Sequence, residues 1–340
     1  MDGNIHISEL LMTFVKWSAV VDNTNTPKDR QSLLADIADM YFIQGKNQAE
    51  IAKIVGVTRS NISRMLKEAR NSGIVQIQVN RPIKEDQALA EQLISRFDLI
   101  NARVIVVGQS SLNLQLLGKA AGNELMTQLK PGWVIGTSWG TAISATVEEL
   151  TTYSILQELK VVQLLGALGA RIEDYDAHAI VRRLAGKLDA EGFYINAPFL
   201  VEDKNIAESL LENRSIQETL SQGKRADIAL LGVGSSDIAH CSFFLADYVT
   251  RKEILEIQKT GAIGDVCGRF FDINGKMTAL EFQNKLIGIS LEDLMNIPVR
   301  IGVAGGPAKI DPIIGALRGH LINTLVSDVK TISEVLIRTN

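Results

Sequence analysis

Residues 48–67 read QAEIAKIVGVTRSNISRMLK, and small, apolar and polar side chains fall in this stretch where two short helices crossing at a tight turn need them. Asn47 can cap the first helix, and Glu50, three positions on, completes a capping-box pattern ahead of Ile51 and Ile54. Ala52 is small where the second helix must pass close. Gly56 can take the positive φ that reverses the chain, Val57 plugs the shared core, and Thr58 offers an N-cap oxygen to the second helix. Ile62, Met65 and Leu66 give that second helix a buried stripe at helical spacing. Arg59, Ser60, Asn61, Ser63, Arg64 and Lys67 are left on its outer or flanking faces, where side chains suited to phosphates and base edges could enter a major groove. The stretch therefore predicts a helix-turn-helix, with Thr58 and these six residues as the candidate DNA contacts.

An ordinary helical hairpin with a solvated charged face would also satisfy the apolar spacing. The charge distribution weighs against it. Residues 41–81 hold seven Lys or Arg and two Glu, a net +5, whereas the chain as a whole carries −4, so the remainder carries −9. An acidic body repels DNA and leaves one basic module to approach it. After Asn71-Ser72-Gly73, a helix-stopping run, Ile74 to Val79 alternates as a strand would, which predicts a short wing.

At 340 residues, with 46% hydrophobic and 22% charged side chains, the chain has the size and balance of a globular protein of two domains. Its two cysteines, Cys241 and Cys267, lie far apart and without metal-ligand spacing. Their expected role is packing in a reducing cytoplasm. The apolar stretch from Leu10 to Val21 is interrupted by Lys16 and lacks a basic leader with a cleavage site, so it predicts neither a signal peptide nor a membrane span. The expected organisation is an N-terminal extension over 1–28, a winged helix-turn-helix over 29–81, a linking and dimerising helix over 82–100, and an effector-binding and oligomerisation domain over 101–340.

Beyond residue 101, apolar runs alternate with helical patterns. Residues 102–108, 134–136, 159–166, 192–197, 226–232 and 299–304 are the expected strands, several of them ending at glycine, and the alternation predicts an α/β domain on a mainly parallel sheet. Ligands in such domains sit at the carboxyl ends of the strands. Three strand-end loops carry the features such a site needs: Gly136-Thr137-Ser138-Trp139-Gly140, Gly166-Ala167-Leu168-Gly169 and Gly232-Val233-Gly234-Ser235-Ser236. The first offers hydroxyls and oriented amides that could cradle an anion. Each could equally be a tight packing turn. None matches a Walker loop or a full dinucleotide fingerprint. Downstream, Asp265 sits among glycines and Lys309 follows a strand end; a carboxylate can accept from sugar hydroxyls and a lysine can pair with phosphate. The bland alternatives are a turn residue and a solvated helix cap. His6, His178, His240 and His320 are scattered without metal-ligand spacing, so no metal, cofactor or catalytic residue is expected.

Five segments together resemble the SorC family of sugar-responsive bacterial transcriptional regulators, which is related to the deoxyribonucleoside and central glycolytic gene regulators. They are SRMLKEARNSGIVQIQV (63–79), GTSWGTA (136–142), VVQLLGALG (161–169), GAIGDVCGRFFDINGK (261–276) and VAGGPAKIDPIIGALRGHLINTLVSD (303–328). The resemblance covers about residues 35–337. It implies a C-terminal Rossmann-like effector domain resembling sugar-phosphate isomerases and glucosamine-phosphate deaminases, and homotetramers built as dimers of dimers on operator DNA. It also implies that Gly136, Thr137 and Ser138 hold the effector phosphate, that Asp265 meets sugar hydroxyls, that Lys309 reaches the phosphate, and that Gly166 and Gly169 line the same pocket. The N-terminal extension and the Gly166-Ala167 pair, where a double glycine is frequent, depart from the family pattern. The expected function is ligand-controlled transcription of a carbohydrate operon. The rivals are a sugar-phosphate isomerase or deaminase with a DNA-binding appendage, and a dehydrogenase-like redox sensor.

Overall fold

The computed structural model describes residues 27–75, 82–108, 113–152, 156–167 and 174–340. The expected wing beyond Val75, nearly all of the N-terminal extension, and Gly169 lie outside the described residues. The described residues fall into two compact units that divide between Pro82 and Ile83.

The first unit packs three helices, α1 (Pro27–Phe42), α2 (Gln48–Val55) and α3 (Arg59–Asn71), around a small core. Leu33, Leu34 and Ile37 of α1 meet Ile51 and Val55 of α2 and Ile62, Met65 and Leu66 of α3 in one buried cluster. Local chemistry sets the helix boundaries. The Asn47 side-chain oxygen accepts from the amides of Ala49 and Glu50 at 3.0 and 3.1 Å, and the Glu50 carboxylate accepts from the Asn47 amide at 2.8 Å. Two amides that a helix start leaves unpaired are thereby satisfied. Gly56 ends α2 at φ 75°, and Thr58 then caps α3 by accepting from the Asn61 amide at 3.3 Å. Arg30 of α1 forks onto Glu68 of α3 through bonds of 3.1 and 2.7 Å, and that guanidinium holds the Glu68 carboxyl below its ordinary value.

Replacing Asn47 by alanine removes the cap from Ala49 and Glu50, a loss that typically costs about 1 kcal/mol. Hydrogen exchange of the α2 amides should accelerate about fivefold, the factor that such a loss implies. Unchanged exchange would show that tertiary packing alone sets this helix start.

The second unit is a mixed α/β body on a seven-stranded, wholly parallel sheet. Its strands are β1 (Asn101–Ile105), β2 (Val134–Thr137), β3 (Lys160–Gln163), β4 (Glu191–Phe193), β5 (Ile228–Gly232), β9 (Val299–Val303) and β10 (Thr324–Asp328), in the order β1-β10-β9-β5-β2-β3-β4. Valine, isoleucine and leucine dominate the strand interiors, and β9 and β10 are buried along their whole length, as a sheet covered on both faces requires. A smaller antiparallel sheet joins β6 (Gly234–Ser235), β7 (Gly264–Val266) and β8 (Arg269–Phe271). Helices α4 (Gln87–Phe97), α5 (Leu114–Gln128), α6 (Thr141–Glu149) and α7 (Ala177–Leu188) are followed by further helices, among them Ile310–Arg318 and Val329–Arg338.

Sequence and structure differ in two places that matter for the site. The expected strand over 159–166 stops at Gln163, because the following backbone finds other partners: Leu165 bridges to Gly288 and Ala167 to Pro198. The strand β10 and the β7–β8 hairpin were not among the expected strands. β10 pairs with both β1 and β9, so without it the first strand would have no place in the sheet.

Strand order runs outward from β2 to β3 and β4 on one side, and from β2 to β5 and β9 on the other. The connections leaving the adjacent strands β2 and β5 diverge, which opens a crevice at their carboxyl ends.

Candidate functional site

A cavity of about 320 Å³ occupies that crevice. The chain reaches it through Ser138 and Trp139 after β2, through Gly232 and Val233 at the end of β5, and through Val303, Ala304 and Gly305 at the end of β9. Its lining includes the apolar side chains of Leu114, Leu117, Leu165, Val233 and Phe243. It also includes hydrogen-bond donors. Gly140, Thr141, Ala142 and Ile143 open α6 onto the cavity, and no side chain caps that helix, so its first amides are left for whatever occupies the space. The Ser138 oxygen accepts from the Gly232 amide at 3.1 Å, which leaves its hydroxyl proton to donate.

Lys309, at the end of the short Pro307–Lys309 turn, also lines the cavity. Its ammonium has neither an ion-pair nor a hydrogen-bond partner among the described residues. Burial pushes its pKa below the ordinary lysine value, while the carboxyl of Asp265 and the thiol of Cys241 pull the other way.

Asp265 is 8% exposed and sits on β7 opposite Gly234. A β-carbon at Gly234 would stand 1.8 Å from an Asp265 carboxylate oxygen, so the carboxylate lies in space that only glycine leaves empty. Its other oxygen accepts from the Gly268 amide at 3.1 Å, across the tight turn in which Cys267 and Gly268 both take positive φ. Burial raises the Asp265 pKa from 3.8 to about 6, against the opposing pull of Lys309 and the Gly268 amide. Cys267 lines the cavity too, but burial and the neighbouring Asp265 push its thiol up to about 12, which leaves it unreactive.

Of the residues singled out in the sequence, Ser138, Asp265 and Lys309 therefore meet on one cavity. Gly136 and Thr137 stand behind it. Thr137 is fully buried at the end of β2 and donates its hydroxyl to the Ser138 carbonyl at 3.0 Å, while a β-carbon on Gly136 would press on the Leu164 side chain at 2.9 Å. Gly166 is a packing residue whose missing β-carbon admits the Pro198-Phe199 backbone at 2.6 Å. Trp139, Thr141, Ser242 and Cys267 line the cavity without having been named as ligands in the sequence. Trp139 and Thr141 stood within or beside the GTSWG loop and could have been found there; nothing in the sequence around Ser242 marks it. Among the described residues no cluster of His, Cys, Asp or Glu could hold a metal, and no helix is long and apolar enough to cross a membrane.

In the first unit, Thr58, Arg59, Ser60, Ser63, Arg64 and Lys67 are all exposed along α3, and Asn61 is half-buried. Thr58 is committed to its own helix, capping Asn61 and bonding the Ser60 hydroxyl at 2.9 Å. Glu68 is taken up by Arg30, so the exposed face keeps the positive charge of Arg59, Arg64, Lys67 and Arg70.

Residues 81–337 match the Sugar-bind family, which describes a sugar-binding domain. The chain is 31% identical over 311 residues to the sorbitol operon regulator of Klebsiella pneumoniae, covering 90% of this chain and 98% of that protein. It is 32% identical over 308 residues to the transcriptional regulator LsrR of Escherichia coli (strain K12 / DH10B), covering 89% of this chain and 94% of that one. The crystal structure of the full-length K. pneumoniae regulator SorC superposes with a TM-score of 0.68 at 30% identity, over 91% of this chain and 99% of that one. A sor operon regulator from Shigella flexneri also gives a TM-score of 0.68, at 29% identity over 74% of this chain and 98% of its own.

Proposed function

This chain belongs to the SorC family of sugar-binding transcriptional regulators, and on that premise we propose that it controls a carbohydrate-utilisation operon by coupling operator affinity to a sugar phosphate held in the β2–β5 crevice. One observation carries the choice of ligand: the partnerless ammonium of Lys309 shares a cavity with the uncapped amino end of α6. A half-buried cation and a set of unpaired amides together favour a dianion. Ser138 adds a hydroxyl donor, and Asp265 provides an acceptor for sugar hydroxyls. Close relatives of known role are regulators, which favours regulation over the isomerase or deaminase alternative.

In this reading residues 29–81 are a winged helix-turn-helix, 82–100 a linking and dimerising helix, and 101–340 a Rossmann-like effector domain that assembles as a dimer of dimers. The exposed basic face of α3 enters the major groove. Effector binding then shifts the arrangement of subunits and, with it, the spacing of recognition helices.

Titrating an operator fragment, selected from random DNA, with the protein in the presence of a panel of sugar phosphates tests the coupling. Arg64→Ala tests the DNA face: binding should weaken by about 1 to 3 kcal/mol if Arg64 reads a base, or lose roughly one unit of salt slope if it holds a phosphate. An Arg64→Ala protein with wild-type affinity and salt dependence would move the DNA interface off α3.

A further inference from the structure

Lys309 reaches the cavity from the three-residue turn Pro307–Lys309, and among the described residues no hydrogen bond or ion pair holds its ammonium. Its reach toward an anion therefore depends on where the backbone of that turn is placed. Gly306 fixes this backbone through both of its polar groups. Its carbonyl accepts from the Lys309 amide at 3.0 Å, which closes the turn. Its amide donates to two acceptors at once, the Thr331 hydroxyl oxygen at 2.7 Å and the Asp328 carboxylate at 3.1 Å. Gly306 takes φ 93°, a backbone that glycine adopts without strain.

The two acceptors are themselves tied together. The Asp328 oxygen that meets Gly306 also accepts from the Thr331 hydroxyl at 2.5 Å, and its other oxygen caps the Thr331 amide at 3.1 Å. The Thr331 hydroxyl thus gives its proton to Asp328 and turns a lone pair to Gly306. Both residues are 2% exposed, where hydrogen bonds to a carboxylate are strong. Asp328 ends β10, which lies between β1 and β9, so the clamp is anchored in the sheet and far along the chain from the turn it holds. One acceptor would have satisfied the Gly306 amide. Two acceptors on a buried network fix its direction as well.

We propose that Asp328 and Thr331 are positioning residues for effector binding: by clamping the Gly306 amide they hold the Pro307–Lys309 turn so that the Lys309 ammonium is already in place when the anion arrives. Neither residue lines the cavity. The assignment rests on the effector reading of that cavity. Its physical content is preorganisation, because a turn ordered in advance adds no ordering cost to binding.

Thr331→Val keeps the side-chain shape and the amide that Asp328 caps, and removes the hydroxyl. The probe is the sugar phosphate that the wild type binds best, by calorimetry, in a panel of pentose, hexose and hexitol phosphates. Binding by Thr331→Val should be about fivefold weaker, as for a turn that holds the competent arrangement roughly one-fifth of the time. Thr331→Ser, which keeps the hydroxyl, should bind nearly as well as the wild type. Wild-type affinity in Thr331→Val, or an equal loss in Thr331→Ser, would overturn the proposal.

Action through Lys309 has a further signature. In a Lys309→Ala background there is no ammonium to position, so adding Thr331→Val should change affinity by less than about twofold. The full loss persisting in that background would overturn the proposal, because Thr331 would then support the fold or another part of the cavity. If the wild type binds no sugar phosphate of the panel, the effector reading itself fails, and this assignment falls with it. A measurement on the unaltered protein covers the case in which Thr331→Val fails to fold. The Gly306 amide should be protected from hydrogen exchange without any ligand, since the clamp is complete without one. Exchange at the rate of an open loop would overturn the proposal.

Discussion

Replacing Lys309 by alanine is expected to weaken sugar-phosphate binding by more than tenfold while leaving operator binding in the absence of effector unchanged. Removing one charged partner of a desolvated ion commonly costs about 2 to 5 kcal/mol, much of it from the anion left without its counter-charge. Lys309 fits that case because it lines the cavity, makes no hydrogen bond or ion pair among the described residues, and is buried enough to depress its own pKa. The helices assigned to DNA lie in the other compact unit. The variant should therefore bind operator normally and fail to respond to effector, behaving as a locked regulator. Gel-shift titrations of both proteins across a range of sugar phosphate decide the matter. Superimposable response curves would show that Lys309 is only a solvated cap.

Asp265→Asn is expected to stabilise the folded protein at neutral pH while weakening its grip on the sugar. The folded-state pKa of Asp265, about 6, lies above the ordinary 3.8, so the folded protein holds this proton more tightly than the unfolded chain does. Below about pH 4 both states are protonated and the residue costs nothing. Between about pH 4 and about pH 6 the unfolded chain ionises first, and stability falls as pH rises. Above about pH 6 the loss is complete, and two pKa units correspond to about 3 kcal/mol. Asparagine keeps an oxygen for the Gly268 amide and carries no charge to desolvate. The attraction between Asp265 and Lys309 is lost in the exchange, so the net gain should fall between about 1 and 3 kcal/mol. Urea unfolding from about pH 4 to about pH 7 should show the variant's advantage growing with pH and vanishing in acid. A constant difference across that range would mean that Asp265 is not the titrating group. An advantage that grows with pH would mean that the wild type holds a costly carboxylate for the sake of its ligand, a common trade at binding sites.

Much of this was legible in the chain itself, for reasons of range. The starts of α2 and α3 depend on Asn47, Glu50, Gly56 and Thr58, residues within a few positions of the amides they cap or the turn they make. The stripe of Ile62, Met65 and Leu66 follows from helical periodicity alone. Lys309 and Asp265 stood out because each carries a charge among glycines at the end of an apolar run. Two of the three hydroxyl and glycine positions named in the GTSWG loop behaved differently from the third. Alternation along β2 and its exit decides which side chain faces the crevice, and Thr137 turns into the sheet while Ser138 turns to the cavity.

Local pattern could not show what depends on partners far along the chain. The run LINTLVSD carries the same residue types as a helix end or a loop, and Thr324–Asp328 becomes a strand because β1 and β9 lie on either side of it. Gly234 reads as a flexible turn residue, yet its function is set by Asp265, which the register of β6 on β7 places against it. The sequence by itself thus determined the two capped helices of the basic unit, the alternation of strands and helices, and the polar groups available for a ligand, since each is written within a turn or two of backbone. Tertiary structure alone decided which of those groups converge. Strand order brings the ends of β2, β5 and β9 to one crevice, and burial there strips Asp265 of most of the water that would otherwise solvate its carboxylate.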